Sequence, residues 1–134
     1  MRVLIDANCL LVSIPKKSKY RLVFDAFLQK KFTFIISNEI LSEYTEVISE
    51  KINSQIAINI AELLLIASNV QKQEVYYRWN IIEADKDDNK YVDCAIASNA
   101  DFIVSNDKHF NVLKKLVFPK VKVLSLDEFI VIFK

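Results

Sequence analysis

Between Asp87 and Asp107 the sequence reads DDNKYVDCAIASNADFIVSND and leaves little choice of architecture. A helix beginning near Asp88 is followed by a short apolar strand, Phe102, Ile103 and Val104. The turn Ser105-Asn106-Asp107 then carries a carboxylate off the strand's end. If that strand is parallel and central, the helix before it starts at the edge of the sheet where the strand finishes. Asp93 and Asp107 then converge at the edge where open α/β sheets bind ligands.

The start of the chain repeats this logic. Val3, Leu4 and Ile5 form an unbroken apolar run, the pattern of a strand buried on both faces, and it runs directly into Asp6-Ala7-Asn8. A carboxylate in that position is costly unless paired, hydrogen-bonded or bound to a metal, although capping a helix is an alternative use for it. Pro15 to Lys19, with Arg21 just beyond, is a basic loop ahead of an amphipathic helix; it offers contacts to phosphates, but the favoured reading of its lysines is a solvated surface. Phe32 to Ile36 is a second strand. It leads through a Ser37-Asn38 cap into a helix with Ile40, Leu41, Tyr44, Val47 and Ile48 on its core face. Glu39, Glu43, Glu46 and Glu50 line one other face, and Glu43 lies too far in to be excused by the positive helix start.

Ile56 to Ile66 reads as a helix too apolar for a single core contact, and deep burial is favoured over a subunit contact. Val70 to Ile82 is ambiguous between strand and loop; its Tyr76 and Trp79 are candidates for core packing first and base stacking second. After Asp107 a short helix runs through Leu113. Its lone His109 is read as an ordinary exposed residue, since it has no second His or Cys to make a zinc site. Lys120 to Leu124 is a last strand, and Ser125 caps a final helix whose FIVIF run docks on the body of the molecule or on a twin.

These elements predict one α/β domain over residues 1–134, a parallel sheet of about four to five strands covered by helices on both faces. Asp6 and Asp107 then stand at strand carboxyl ends, with Glu43 and Asp93 in the first turns of helices starting at the same edge. At ~4 Å and an effective dielectric near 20, each like-charged pair repels by roughly 4 kcal/mol. Such a gathering calls for divalent cations, and an all-oxygen set favours Mg2+ or Mn2+ over zinc. Metal-bound water can cut a phosphodiester without a side-chain nucleophile.

Composition excludes other routes to phosphate chemistry. The chain contains no glycine, against an average usage of about 7%, so Walker loops and dinucleotide fingerprints are absent. With 18 Lys and Arg against 17 Asp and Glu, the net charge of +1 announces no polyanion partner, and any nucleic-acid contact must be local. Cys9 and Cys94 form no C-x-x-C pair. The first residues lack a signal-peptide pattern and no apolar run reaches the ~18 residues of a membrane span. A reduced, cytoplasmic setting with no membrane association is expected.

Four pieces in order resemble the PIN-domain ribonucleases, most closely the small VapC-like toxins of toxin-antitoxin pairs: VLIDAN (3–8), SNEILSEY (37–44), the stretch 87–107 and VLSLDEF (123–129). The resemblance implies a three-layer α/β/α sandwich. It also implies Asp6, Glu43, Asp93 and Asp107 as catalytic, metal-binding acids, with Asn8 and Ser105 as supporting polar groups. Further implications are RNA cleavage leaving a 5'-phosphate, a homodimer and a cognate antitoxin. Asn106 stands where relatives commonly carry glycine, a place Asn fills by tolerating a left-handed backbone. The run Asp85, Asp87, Asp88 lacks a proline often seen there, so the role of Asp88 stays open. Two rivals remain: a catalytically weak RNA- or partner-binding module of the same fold, and a phosphotransfer enzyme using Asp6 as nucleophile. Phosphatases of the latter kind usually carry a second Asp two residues on, where this chain has Asn8.

Overall fold

The computed structural model describes residues 1–134. Five strands, β1 (Arg2–Ile5), β2 (Thr33–Ile36), β3 (Val70–Lys72), β4 (Phe102–Val104) and β5 (Val123–Leu124), form one sheet in the order β3-β2-β1-β4-β5. Every neighbouring pair is parallel. Six α-helices pack on it as a three-layer α/β/α sandwich: α1 (Ala7–Ser13), α2 (Arg21–Leu28), α3 (Asn38–Lys51), α4 (Ser54–Ile66), α5 (Asn89–Ser98) and α6 (Leu126–Val131). None is long and apolar enough to cross a membrane.

The order of the strands fixes where a ligand can sit. From β1 the chain steps outward through β2 to β3, then returns to the other side of β1 as β4 and continues outward to β5. The topological switch point is therefore between β1 and β4, and a crevice opens beyond their carboxyl ends. Both strands are buried on both faces: Val3, Leu4, Ile103 and Val104 have no exposed surface. The apolar runs of the sequence follow from that position. The ladder reaches one residue past β1, where the amide of Asp6 donates to the carbonyl of Val104 at 3.0 Å.

Capping accounts for most helix starts. Asp6, Ser37, Asn53 and Ser125 each accept a hydrogen bond from a first-turn amide, and Ser125 forms a full capping box with Glu128. Helix α5 ends at Asn99 in the left-handed conformation (φ 53, ψ 47), the position glycine commonly takes. Asn106, expected to adopt that conformation before Asp107, does not; the residues that do are Lys30, Asn80 and Asn99. Asn106 instead uses its side-chain oxygen to accept from the Leu126 amide at 2.9 Å, holding the start of α6.

Several elements differ from the sequence expectations. Only residues 70–72 of the ambiguous segment join the sheet, and 73–85 run irregularly outside it. The last strand is two residues long rather than five. The turn after Asp107 is a 3-10 helix over Lys108–Lys115. Helix α4 is not deeply buried: Ala57, Ile60 and Leu64 face the core, whereas Ile58, Leu65 and Ile66 are exposed. The closing helix does dock, through Phe129 against Phe32, Phe102 and Phe133.

Candidate metal centre

Asp6 is the residue on which the crevice is built. It leaves β1 extended, caps α1 through a 2.8 Å bond from the Cys9 amide to its Oδ1, and is 8% exposed. Its Oδ2 accepts from the hydroxyl of Ser105, which follows β4. Burial raises the Asp6 carboxyl above its ordinary range; the Ser105 and Cys9 hydrogen bonds pull it back and nearby Asp107 adds to the rise.

Asp107 lies across the switch point. Its amide donates to Ser105 Oγ at 3.0 Å, and its side chain caps the following 3-10 helix by accepting from the His109 amide at 2.9 Å. Asp6 and Asp107, with Asn8, Cys9, Val12 and Asn106, line an open cavity of about 350 Å³. Burial, then the neighbouring Asp6, push the Cys9 thiol up, which disfavours the reactive thiolate.

A second set of groups meets Asp107 from the start of α5. One ligand atom each from Asp85, Asp88, Asp107 and His109 lies within 4.8 Å of all the others. The 3-10 turn Lys86–Asp88 leads into α5 and positions the two acids, with Asp85 Oδ1 accepting from the Asp87 amide at 3.0 Å. Burial, then Asp107, then Asp85 push the Asp88 carboxyl up to about 6, with His109 opposing. No lysine or arginine lies within ion-pair distance of these three carboxylates; His109 is their one potential cation, with Nδ1 at 3.3 Å from Asp88, 3.3 Å from Asp107 and 3.9 Å from Asp85.

Glu43 stands behind this group. Its Oε2 pairs with Lys90 at 2.8 Å and its Oε1 accepts from the hydroxyl of Tyr91, which itself accepts from the Ala7 amide at 3.1 Å. One tyrosine thus connects Glu43 to the residue beside Asp6. Glu43 lines an adjoining groove with Glu39, Glu46, Asp87 and Lys90 rather than the Asp6 cavity.

The expected quartet is therefore only partly assembled. Asp6 and Asp107 share a cavity, Glu43 is one side chain removed, and Asn8 and Ser105 are beside them. Asp93 is not: it is 2% exposed and its Oδ1 accepts from the Trp79 amide at 2.9 Å, holding the irregular segment against α5. Burial raises its carboxyl, with the Trp79 amide and Arg78 offsetting the rise. Asp88, five residues earlier at the N-cap of α5, is the acid that reaches Asp107. Asp85 and His109 are not among the expected ligands, although Asp85-x-x-Asp88 and Asp107-x-His109 are spacings that one turn can fold onto a single point.

The donor set fits a divalent cation. Three carboxylates crowd together with only an imidazole for compensation, and hard oxygen donors suit Mg2+ and Mn2+. A parallel sheet with acids gathered beyond its switch point defines an α/β domain with a candidate metal pocket. The PIN domain family model matches residues 2–109, and the chain belongs to that family. Comparison with curated proteins gives no match. Among solved structures the fold is similar to the Mycobacterium tuberculosis toxin VapC20, which cleaves the sarcin-ricin loop, at 12% identity and TM-score 0.61 over 81% of this chain and 92% of that one. It is also similar to VapBC2 of Rickettsia felis, solved on a DNA fragment from their promoter, at 17% identity and TM-score 0.62 over 93% and 98%.

Proposed function

We propose that this chain is a metal-dependent ribonuclease, the toxin of a type II toxin-antitoxin pair acting in the cytoplasm. The observation that carries the reading is Asp107 standing at the switch point of a PIN-domain sheet, sharing a cavity with Asp6 and a ligand-sized group with Asp88. Asp88 and Asp107 would hold a Mg2+ or Mn2+ ion, with Asp6 beside it across the cavity and Glu43 behind. A bound ion would supply Lewis acidity for activating water and for balancing charge on the phosphate. The chain's own part is to fix the acids: Ser105 holds Asp6 and orients Asp107, and Tyr91 and Lys90 hold Glu43.

RNA as substrate is supported by the VapC20 likeness, and a protein antitoxin by the paired VapBC2. A homodimer is part of the same reading. The exposed Ile58, Leu65 and Ile66 of α4 suit burial against another chain.

The test is cleavage of structured and single-stranded RNA by untagged protein with Mg2+ or Mn2+, with chelator, and with Asp88→Asn. Turnover that needs the metal and is lost in the variant is the expected result. Cleavage persisting in excess chelator overturns the reading, and RNA binding without turnover in either metal favours a non-catalytic module.

A further inference from the structure

His109 is the only histidine in the chain, and its ring, 39% exposed, lies against the acidic group. The means is local. Asp107 caps the 3-10 helix by taking the His109 amide, so the first turn folds the imidazole back over the carboxylate that precedes it. Its Nδ1 faces Asp88 Oδ2 and Asp107 Oδ1, both at 3.3 Å, and Asp85 Oδ2 at 3.9 Å. We propose that the Nδ1 of His109 is a direct ligand of the site's divalent cation, alongside Asp85, Asp88 and Asp107, and makes the site prefer Mn2+ to Mg2+. The proposal rests on the metal-dependent reading above.

The spacing suits one ion. With metal–ligand bonds of about 2.1 Å, neighbouring ligands of an octahedral ion are about 3.0 Å apart and opposite ones about 4.2 Å. The separations from Nδ1, and the 4.8 Å limit on the whole group, match such a shell after small adjustment. A hydrogen-bonding role explains one short contact; an imidazole nitrogen almost equidistant from two carboxylates, with a third close by, is better explained as one vertex of a shared polyhedron. Nitrogen also changes the choice of ion. Magnesium is held by oxygen and is reluctant to give up water, whereas later divalent metals accept imidazole more readily. Three carboxylates and one imidazole therefore favour manganese over magnesium more than an all-carboxylate set does.

The presence of a single histidine makes the test decisive on the unaltered protein. Untagged chain is loaded with Mn2+ and examined by pulsed electron paramagnetic resonance, where imidazole nitrogen bonded to the ion produces a coupling that only His109 can supply. Mn2+ and Mg2+ affinities are measured by calorimetry on wild type, His109→Ala and His109→Gln, with circular dichroism as the check on folding. The expected result is nitrogen coupling in wild type and none in either variant. Mn2+ affinity should fall on the order of ten-fold or more while Mg2+ affinity changes by less than about three-fold. Absence of nitrogen coupling in Mn2+-loaded wild type, or failure of Mn2+ to bind, overturns the proposal whether or not the variants fold. So does a parallel fall in both affinities, which marks His109 as a positioning residue. Nitrogen coupling with no RNA cleavage would leave this inference standing and remove the ribonuclease reading.

Discussion

Ser105 donates its hydroxyl to the carboxylate of Asp6 across 99 residues of sequence, joining the ends of β4 and β1 at the switch point. The same oxygen accepts from the amide of Asp107 at 3.0 Å. One hydroxyl therefore sets the spacing of two acids that the sequence holds far apart. It also supplies part of the stabilisation that a buried carboxylate needs.

Ser105→Ala removes both contacts from a buried site. Stability should fall by roughly 1–3 kcal/mol, the cost of stripping a hydrogen bond from a buried charged group. The Asp6 carboxyl should rise further, because Ser105 is the largest influence lowering it. Chemical denaturation and carboxyl titration by NMR check the two effects. Ser105→Thr, which keeps the hydroxyl, should restore most of both, and an unchanged Asp6 titration in Ser105→Ala would refute this role.

Asp88, which immediately precedes α5, and Asp93, within it, should behave oppositely. Asp88→Asn should reduce RNA cleavage on the order of 100-fold or more and abolish the rise in melting temperature caused by Mg2+ or Mn2+. Without metal it should be slightly more stable than wild type, by on the order of 1 kcal/mol after solvent screening, since Asp107 and Asp85 repel the charge it removes. Asp93→Ala should lose roughly 1–3 kcal/mol by orphaning the Trp79 amide, yet keep the metal-induced rise. Thermal melts with and without metal read both. If Asp93→Asn abolishes the metal response while Asp88→Asn retains it, the assignment reverses.

That contrast marks where the sequence could be read and where it could not. Buried parallel strands carry their own signature: the runs 3–5 and 102–104 have no polar residue to disguise them, and a carboxylate after each one points to the sheet's edge. Asp6 and Asp107 were legible for that reason. Asp93 and Asp88 were harder to separate. Both lie near the start of a helix, and which one faces the crevice depends on the rotation of α5. That rotation is set by tertiary contacts: Asn89 bonds both the amide and the carbonyl of Ile82, and Asp93 takes the Trp79 amide. Both partners lie in the irregular segment whose path has no periodicity to read. A lone His109 carries no zinc-type spacing in the sequence; its neighbours here are carboxylates brought in by a 3-10 turn.

Glu43 is already compensated by Lys90 and Tyr91, so its removal should affect catalysis more than ion binding. Glu43→Gln should leave the first Mn2+ or Mg2+ affinity within about three-fold of wild type, against a loss of ten-fold or more for Asp88→Asn. Calorimetry on both variants decides. Equal losses would put Glu43 among the direct ligands of that ion.

In the metal-free protein, Asp88 should impose a stability profile of unusual sign. Its carboxyl moves from an ordinary 3.8 to about 6 on folding. Between those values the folded chain keeps a proton that the unfolded chain has released. Stability therefore falls as pH rises through this window, the reverse of a salt-bridged acid. Asp6, raised by burial, contributes with the same sign. Glu39, held low by Arg78, contributes with the opposite sign, so the total curve mixes both. The difference between wild type and Asp88→Asn isolates the effect: in chelator, the variant should gain stability relative to wild type from about pH 4 to pH 6 and hold that gain above. Adding Mg2+ or Mn2+ should invert the difference above pH 6, where the carboxylate is charged and available to the ion. Denaturant melts at a series of pH values, with and without metal, measure it directly. A wild type minus variant difference that stays flat across the window would mean that Asp88 ionises as freely as it does in the unfolded chain, and that the crowding of acids at this edge exerts no force on it.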